Sequence, residues 1–168
     1  MKLIAYFSRA DENYTSDGIK NLSVGNTEVV ANIIHDLTGA DLFKIEPVKS
    51  YPKDYHETTH LAQIELNNNA RPAIKNKLTN TEEYDIIYLG YPNWWGTMSM
   101  IVLTFLESIN LTGKIIKPFC THEGSGMSNS ESGLKRHFLN AIIKKGLPIR
   151  GSDADASDEK IKNWIGED

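Results

Sequence analysis

Hydrophobic positions along the chain fall into two alternating rhythms. Lys2–Ser8 is a short apolar run rich in β-formers and predicts a buried strand. Thr27–Leu37 sets Val29, Val30, Ile33, Ile34 and Leu37 at helical spacing, and Gly39 follows as a stop signal. Asp41–Ile45 predicts a second strand. Tyr55–Asn69 predicts a polar helix with Leu61 and Ile64 along it, ended before Pro72. Tyr84–Tyr91 holds Ile86, Ile87, Tyr88 and Leu89 and predicts a third, deeply buried strand. Ser99–Ile109 predicts a helix, Lys114–Thr121 a fourth strand, and Ser132–Lys145 an amphipathic helix through Leu134, Phe138, Leu139, Ile142 and Ile143. Leu147–Arg150 predicts a short fifth strand. Ser157–Ile165 closes the chain as a helix, with Ser157 as N-cap and Asp158 and Glu159 suited to its positive end.

Strict alternation of strand and helix implies an α/β fold with a parallel sheet and helices on both faces. Right-handed crossovers leave few topologies, and five strands suit the order 2-1-3-4-5 better than the six-stranded dinucleotide order. In open sheets of this kind ligands bind beyond the carboxyl ends of the strands. The loops after strands one, three and four are therefore where chemistry is expected.

Length and composition narrow the classes. The 168 residues suit one domain over 1–168, long enough to bury a core without a disulfide or metal staple. Cys120 is the single cysteine, which excludes an internal disulfide and fits a reducing compartment. A formal net charge of −4 argues against a nucleic-acid partner, because phosphate binding needs a clustered basic face. The apolar run Leu3 to Phe7 is too short for a signal-peptide core, and no segment approaches the ~20 apolar residues of a membrane span. No membrane partner is expected, and the expected location is the cytoplasm.

The three loops carry candidate chemistry. The first strand ends at Ser8-Arg9-Ala10, and Gly25-Asn26-Thr27-Glu28 opens the first helix. Small polar side chains with free backbone amides at a helix start make an anion site, or a plain helix cap. The third strand runs into Pro92-Asn93-Trp94-Trp95-Gly96-Thr97. Two adjacent tryptophans cannot both enter one core layer, so at least one is expected in the surface crevice, where a flat ligand could stack on it. The fourth strand runs into Thr121-His122-Glu123-Gly124-Ser125-Gly126, a loop of flexible backbone donors or a simple turn.

Together these segments resemble the flavodoxin superfamily, closely its flavodoxin-like FMN-binding and flavin reductase branch. The resemblance spans nearly the whole chain and is carried by Tyr6-Phe7-Ser8-Arg9, Gly25-Asn26-Thr27, Pro92 to Thr97, Thr121 to Gly126 and Tyr51-Pro52-Lys53-Asp54-Tyr55. It implies a flavodoxin-like three-layer sandwich with FMN as cofactor. By that resemblance Ser8, Arg9, Asn26 and Thr27 belong to the phosphate end. Pro92, Asn93, Trp94, Trp95, Gly96, Thr97, Thr121, His122, Gly124, Ser125 and Gly126 would flank the ring. The implied activity is electron transfer with a redox partner protein, or reduction of a quinone-like small acceptor with NAD(P)H. The chain departs from simple flavodoxins in the stretch Arg9 to Val24, which is too polar for a core element and is expected to be a loop over the phosphate end.

A competing motif is His56-Glu57-Thr58-Thr59-His60. On a helix its two histidines would share a face and could hold zinc, with Glu57 as general base of a peptidase. The extended metzincin form needs glycine at 63 and histidine at 66, where this chain has Gln63 and Leu66. The segment also follows strand two, away from the three loops, and reads as a solvated polar helix. Phosphate-loop, G-x-G-x-x-G and nucleophile-elbow patterns are absent, and Cys120 reads as buried packing.

Overall fold

A computed structural model describes residues 1–167. Its central sheet runs in the order β4 (Asp41–Lys44), β1 (Lys2–Tyr6), β5 (Ile86–Trp94), β7 (Ile115–His122), with β8 (Ile142–Ile143) and β9 (Leu147–Arg150) end to end along the far side of β7. All of these pairings are parallel. With the strands counted as the sequence counts them, the order is 2-1-3-4-5, the expected α/β flavodoxin-like arrangement.

Side chains of β1 alternate between two cores, as the two-residue period of a strand requires. Leu3, Ala5 and Phe7 join Leu89, Tyr91, Ile101 and Phe105 on one face. Ile4 and Tyr6 join Val30, Ile34, Tyr88, Phe119, Ile161 and Trp164 on the other. The first face is covered by α3 (Met100–Glu107) and by Leu134 of α4 (Ser130–His137), the second by α1 (Asn26–Thr38) and α5 (Asp158–Ile165). Side chains such as Ile4, Ile34 and Phe119, fully buried, each contribute about 1.5–3 kcal/mol by leaving water. Among the described residues no helix is long and apolar enough to cross a membrane.

Four details differ from the sequence expectation. The sheet has seven strands rather than five. One addition is β6 (Thr97–Met98), which turns back antiparallel on β5; the other comes from the division of the fifth position into β8 and β9. The helix expected over 132–145 ends at His137. Beyond it the Ile142 amide donates to the Lys114 carbonyl at 2.9 Å and the Lys144 amide to that of Ile116 at 2.9 Å. Two β-branched residues beside an open strand edge gain a ladder there that another helical turn would forfeit. Finally, Arg9–Val24 is off the central sheet, as expected, but it is not an irregular loop. Asp11–Thr15 (β2) and Gly18–Leu22 (β3) form an antiparallel hairpin closed at Ser16-Asp17. Polar side chains do not prevent it, because a two-stranded ribbon satisfies its own backbone groups without entering a core. At the other end of the chain, Ser157 takes the expected N-cap position of α5, but its hydroxyl donates to the Ala154 carbonyl at 2.5 Å rather than capping the helix.

Candidate functional site

The start of α1 is built by contact with the end of β1. Gly25 is the N-cap, and a Cβ there would lie 2.3 Å from Ser8 Oγ and 2.6 Å from the Arg9 carbonyl oxygen, so only glycine fits. Ser8 Oγ accepts from the Glu28 amide at 3.1 Å and serves as the helix cap from a different element. The Asn26 and Thr27 amides belong to the first turn, where the helix has no acceptor of its own to offer. The Thr27 side chain is 1% exposed, and its hydroxyl lies 2.7 Å from that of Thr121 at the end of β7.

The two tryptophans divide as expected. Trp94 packs edge-on against Phe7 at 5.4 Å and Tyr51 at 5.1 Å, on the margin of the core. Trp95 is 54% exposed, and its indole N–H donates to the Thr59 carbonyl at 2.9 Å. Trp95 and Gly96 form the two-residue turn between β5 and β6, with φ of 56° and 79°. Positive φ at both positions is the type I′ hairpin pattern, natural for glycine and uncommon for tryptophan. The turn is tied to the next loop: the Asn129 amide donates to the Gly96 carbonyl at 2.9 Å, and Asn93 Nδ2 donates to that of Gly126 at 2.7 Å. Loops read separately in the sequence are thus one hydrogen-bonded unit.

The loop after β7 is ordered around His122 and Glu123. The Gly124 amide donates to His122 Nδ1 at 2.8 Å, so the neutral imidazole carries its proton on Nε2. Burial holds the imidazole below its ordinary range. The Arg150 and Lys160 charges push the same way, while Glu123 opposes them. Glu123 Oε1 accepts from the Ser152 amide at 2.9 Å, and Glu123 pairs with Arg150 at 3.5 Å. Burial pushes the Cys120 thiol up to about 12, consistent with packing rather than reactivity.

The hairpin closes the remaining side. The Arg9 guanidinium donates to the carbonyls of Glu12, Pro52 at 2.8 Å and Lys53 at 2.7 Å, fastening β2 to the segment before α2 (Tyr55–Asn67). The Tyr55 amide donates to Glu12 Oε2 at 2.9 Å, and the Tyr14 and Tyr55 rings stand 6.2 Å apart. At the hairpin tip, Ser152 Oγ lies 3.0 Å from Ser16 Oγ.

These elements enclose a cavity of about 410 Å³. Ser8, Arg9, Asn26 and Thr27 line one part of it, and Pro92, Asn93, Trp94 and Trp95 another. Thr121, His122 and Ser125 complete the set of expected residues in the wall. Gly96 and Thr97 shape the turn without lining the cavity, and Gly124 and Gly126 face a neighbouring groove. Sequence reasoning missed Asn13 and Tyr14 of the hairpin, Glu123, and Tyr55, Thr58, Thr59 and Ala62 of α2. The helix bearing His56 and His60 therefore stands beside the site, not away from it. Those two histidines are exposed, and no group of three metal-ligating side chains occurs among the described residues.

A parallel 2-1-3-4-5 sheet with a cavity at its carboxyl ends defines an α/β protein of the flavodoxin-like class. Residues 18–168 match the flavodoxin family, and the chain belongs to it. A Bacteroides uniformis protein described as a flavoprotein is 30% identical, with a TM-score of 0.79 over 99% of this chain and 97% of that one. A flavoprotein from Lactobacillus acidophilus, solved in complex with FMN, is 18% identical, with a TM-score of 0.70 over 98% of this chain and 97% of that one. Oxidised flavodoxin 2 from Bacillus cereus is 22% identical, with a TM-score of 0.54 over 97% of this chain and 93% of that one. The last two share the fold. A comparison with curated proteins found no match.

Proposed function

We propose that the cavity binds FMN and that the chain carries electrons through it. The observation that carries this reading is the convergence, in one cavity of about 410 Å³, of a helix start whose Asn26 and Thr27 amides have no helical acceptor and a wall of aromatic side chains. That volume lies in the range of cofactor sites. The first-turn amides of Asn26 and Thr27 would meet the phosphate, favoured by the positive end of α1. Trp94, Trp95 and the 121–126 loop would hold the flat ring system and keep water from it. The flavin, when bound, supplies one- and two-electron redox chemistry, which the protein tunes through neighbouring groups. His122 is the titratable group in that loop, and its neutral state offers an Nε2–H donor.

Fluorescence titration tests the reading: quenching of FMN at micromolar protein supports it, and no binding there overturns it. Reductive titration with a spectrum at each point then separates the roles. Two resolved one-electron steps support a carrier. A single two-electron step, with rapid NAD(P)H oxidation in the presence of a quinone, would instead make the chain a reductase. The observation favouring that second reading is half-buried His122 in the cavity wall, which would offer a donor to the ring.

A further inference from the structure

Behind the His122 loop lies a second, broader depression of about 660 Å³. His122 and Ser125 belong to the walls of both spaces. The outer space is lined further by Gly124 of the loop, Arg150 at the end of β9, Asp153, and Lys160 of α5. We propose that this groove is a binding site for a phosphate-bearing organic molecule of nucleotide size, seated next to the ligand of the first cavity.

Charge and geometry carry the proposal. Lys160 makes no ion pair or hydrogen bond among the described residues, so its ammonium is available. The Arg150 guanidinium lies over the Gly124 backbone, where a Cβ would be 3.8 Å from Nη2 and 3.9 Å from Nη1. Its side chain is half exposed, and its one carboxylate partner, Glu123, stands at 3.5 Å while also accepting from Ser152. A planar fork with donors to spare suits a phosphate oxygen pair. Gly124 has φ of 125° and Gly126 of 62°, and the Gly124 amide is spent on His122 Nδ1. Among the described residues nothing accepts from the Ser125 or Gly126 amides.

The charged groups around His122 come from three elements. Arg150 from β9 and Lys160 from α5 both disfavour its protonation, and Glu123 is the acid that opposes them. Asp153 is the other acid of the groove, against Arg150 and Lys160. Arg150 and Lys160 line the same groove as His122, and an anion held between them would favour the protonated imidazole. The volume, within the range of small-molecule sites, exceeds what an inorganic ion fills, which points to an organic anion. The site itself does not need a flavin; only its redox meaning, a nucleotide-bearing electron donor beside the ring, rests on the flavin reading.

ADP is the probe, followed by calorimetry and by the His122 imidazole resonance, in FMN-free and FMN-saturated protein. ADP is expected to bind both forms and to move the His122 titration to higher pH, with adenosine at least about tenfold weaker. Lys160→Gln should weaken ADP about tenfold and Lys160→Arg restore most of it, with FMN affinity unchanged in both. The proposal is overturned if ADP does not bind at ~10 mM, if FMN displaces it, if adenosine binds as well, or if Lys160→Gln leaves its affinity intact. Failure of FMN to bind while ADP still shifts His122 would sink the flavin reading and leave the groove standing.

Discussion

Single residues at the site are held by specific partners. The Thr27 and Thr121 hydroxyls, buried and 2.7 Å apart, satisfy each other between helix and strand. Thr27→Val should cost about 1–3 kcal/mol, because it strands the Thr121 hydroxyl. Thr121→Val should cost a similar amount, and the double variant less than the sum. Urea unfolding of the four proteins should give a coupling of about 1 kcal/mol; strict additivity would mean the pair contributes nothing. His122 adds a dependence on pH. Its imidazole is held below the ordinary value, so in mildly acid solution the unfolded chain binds the proton that the folded chain refuses. Its contribution is therefore complete above an unfolded value of ~6.5 and lost as pH falls through the lower folded value. His122→Gln removes the titrating group, so the parent should lose stability relative to that variant between about pH 7.5 and about pH 5 in matched urea titrations.

Elements differ in how plainly the sequence announced them. Val30 and Ile34 recur at helical spacing and are buried on α1, and the apolar run Ile87 to Leu89 forms the buried first half of β5. Burial wrote those patterns, so they could be read back. The β2–β3 hairpin had no such signal, since its stability comes from backbone pairing and from the Arg9 bonds to distant carbonyls. The place of α2 was equally hidden. It buries only Thr58 and Ala62, and the Tyr14–Tyr55 contact joins residues far apart in the chain. Ile142 and Ile143 fit a helical stripe and a strand equally well, and Leu139, 82% exposed, shows that the stripe was coincidental. Of the candidate residues in the three loop motifs, 11 line the cavity; Glu123 lies in the third loop beside them, and the wall residues of the hairpin and α2 arrive through tertiary contact. The hairpin carries its own prediction. Limited proteolysis should cut first at the exposed Ser16-Asp17 turn, and more slowly with FMN present. First cleavage inside β5 would contradict this division of core and periphery.

At the scale of the molecule, both cores meet at the sheet, and the cavity lies where helices, hairpin and loops converge on its carboxyl end. A ligand there touches the central sheet, α1, α2 and the hairpin at once. FMN at 100 times its dissociation constant should stabilise the fold by about 2.7 kcal/mol. For a chain of this length that is a rise of roughly 5–10 °C in Tm, checked by scanning calorimetry with and without FMN. An unchanged Tm at saturating FMN would contradict binding to the folded state. The rims of the central sheet carry a different consequence. One rim is β4, four residues bounded by Asp41 and Lys44. The other is broken into the two residues of β8 and the four of β9, which include Pro148. An incoming strand from another copy would find only short rungs there, interrupted by charge and by a residue with no amide hydrogen. Crowding the folded chain therefore gives the sheet nothing continuous on which to grow, and conversion to a fibrous deposit would first require the α/β body to come apart.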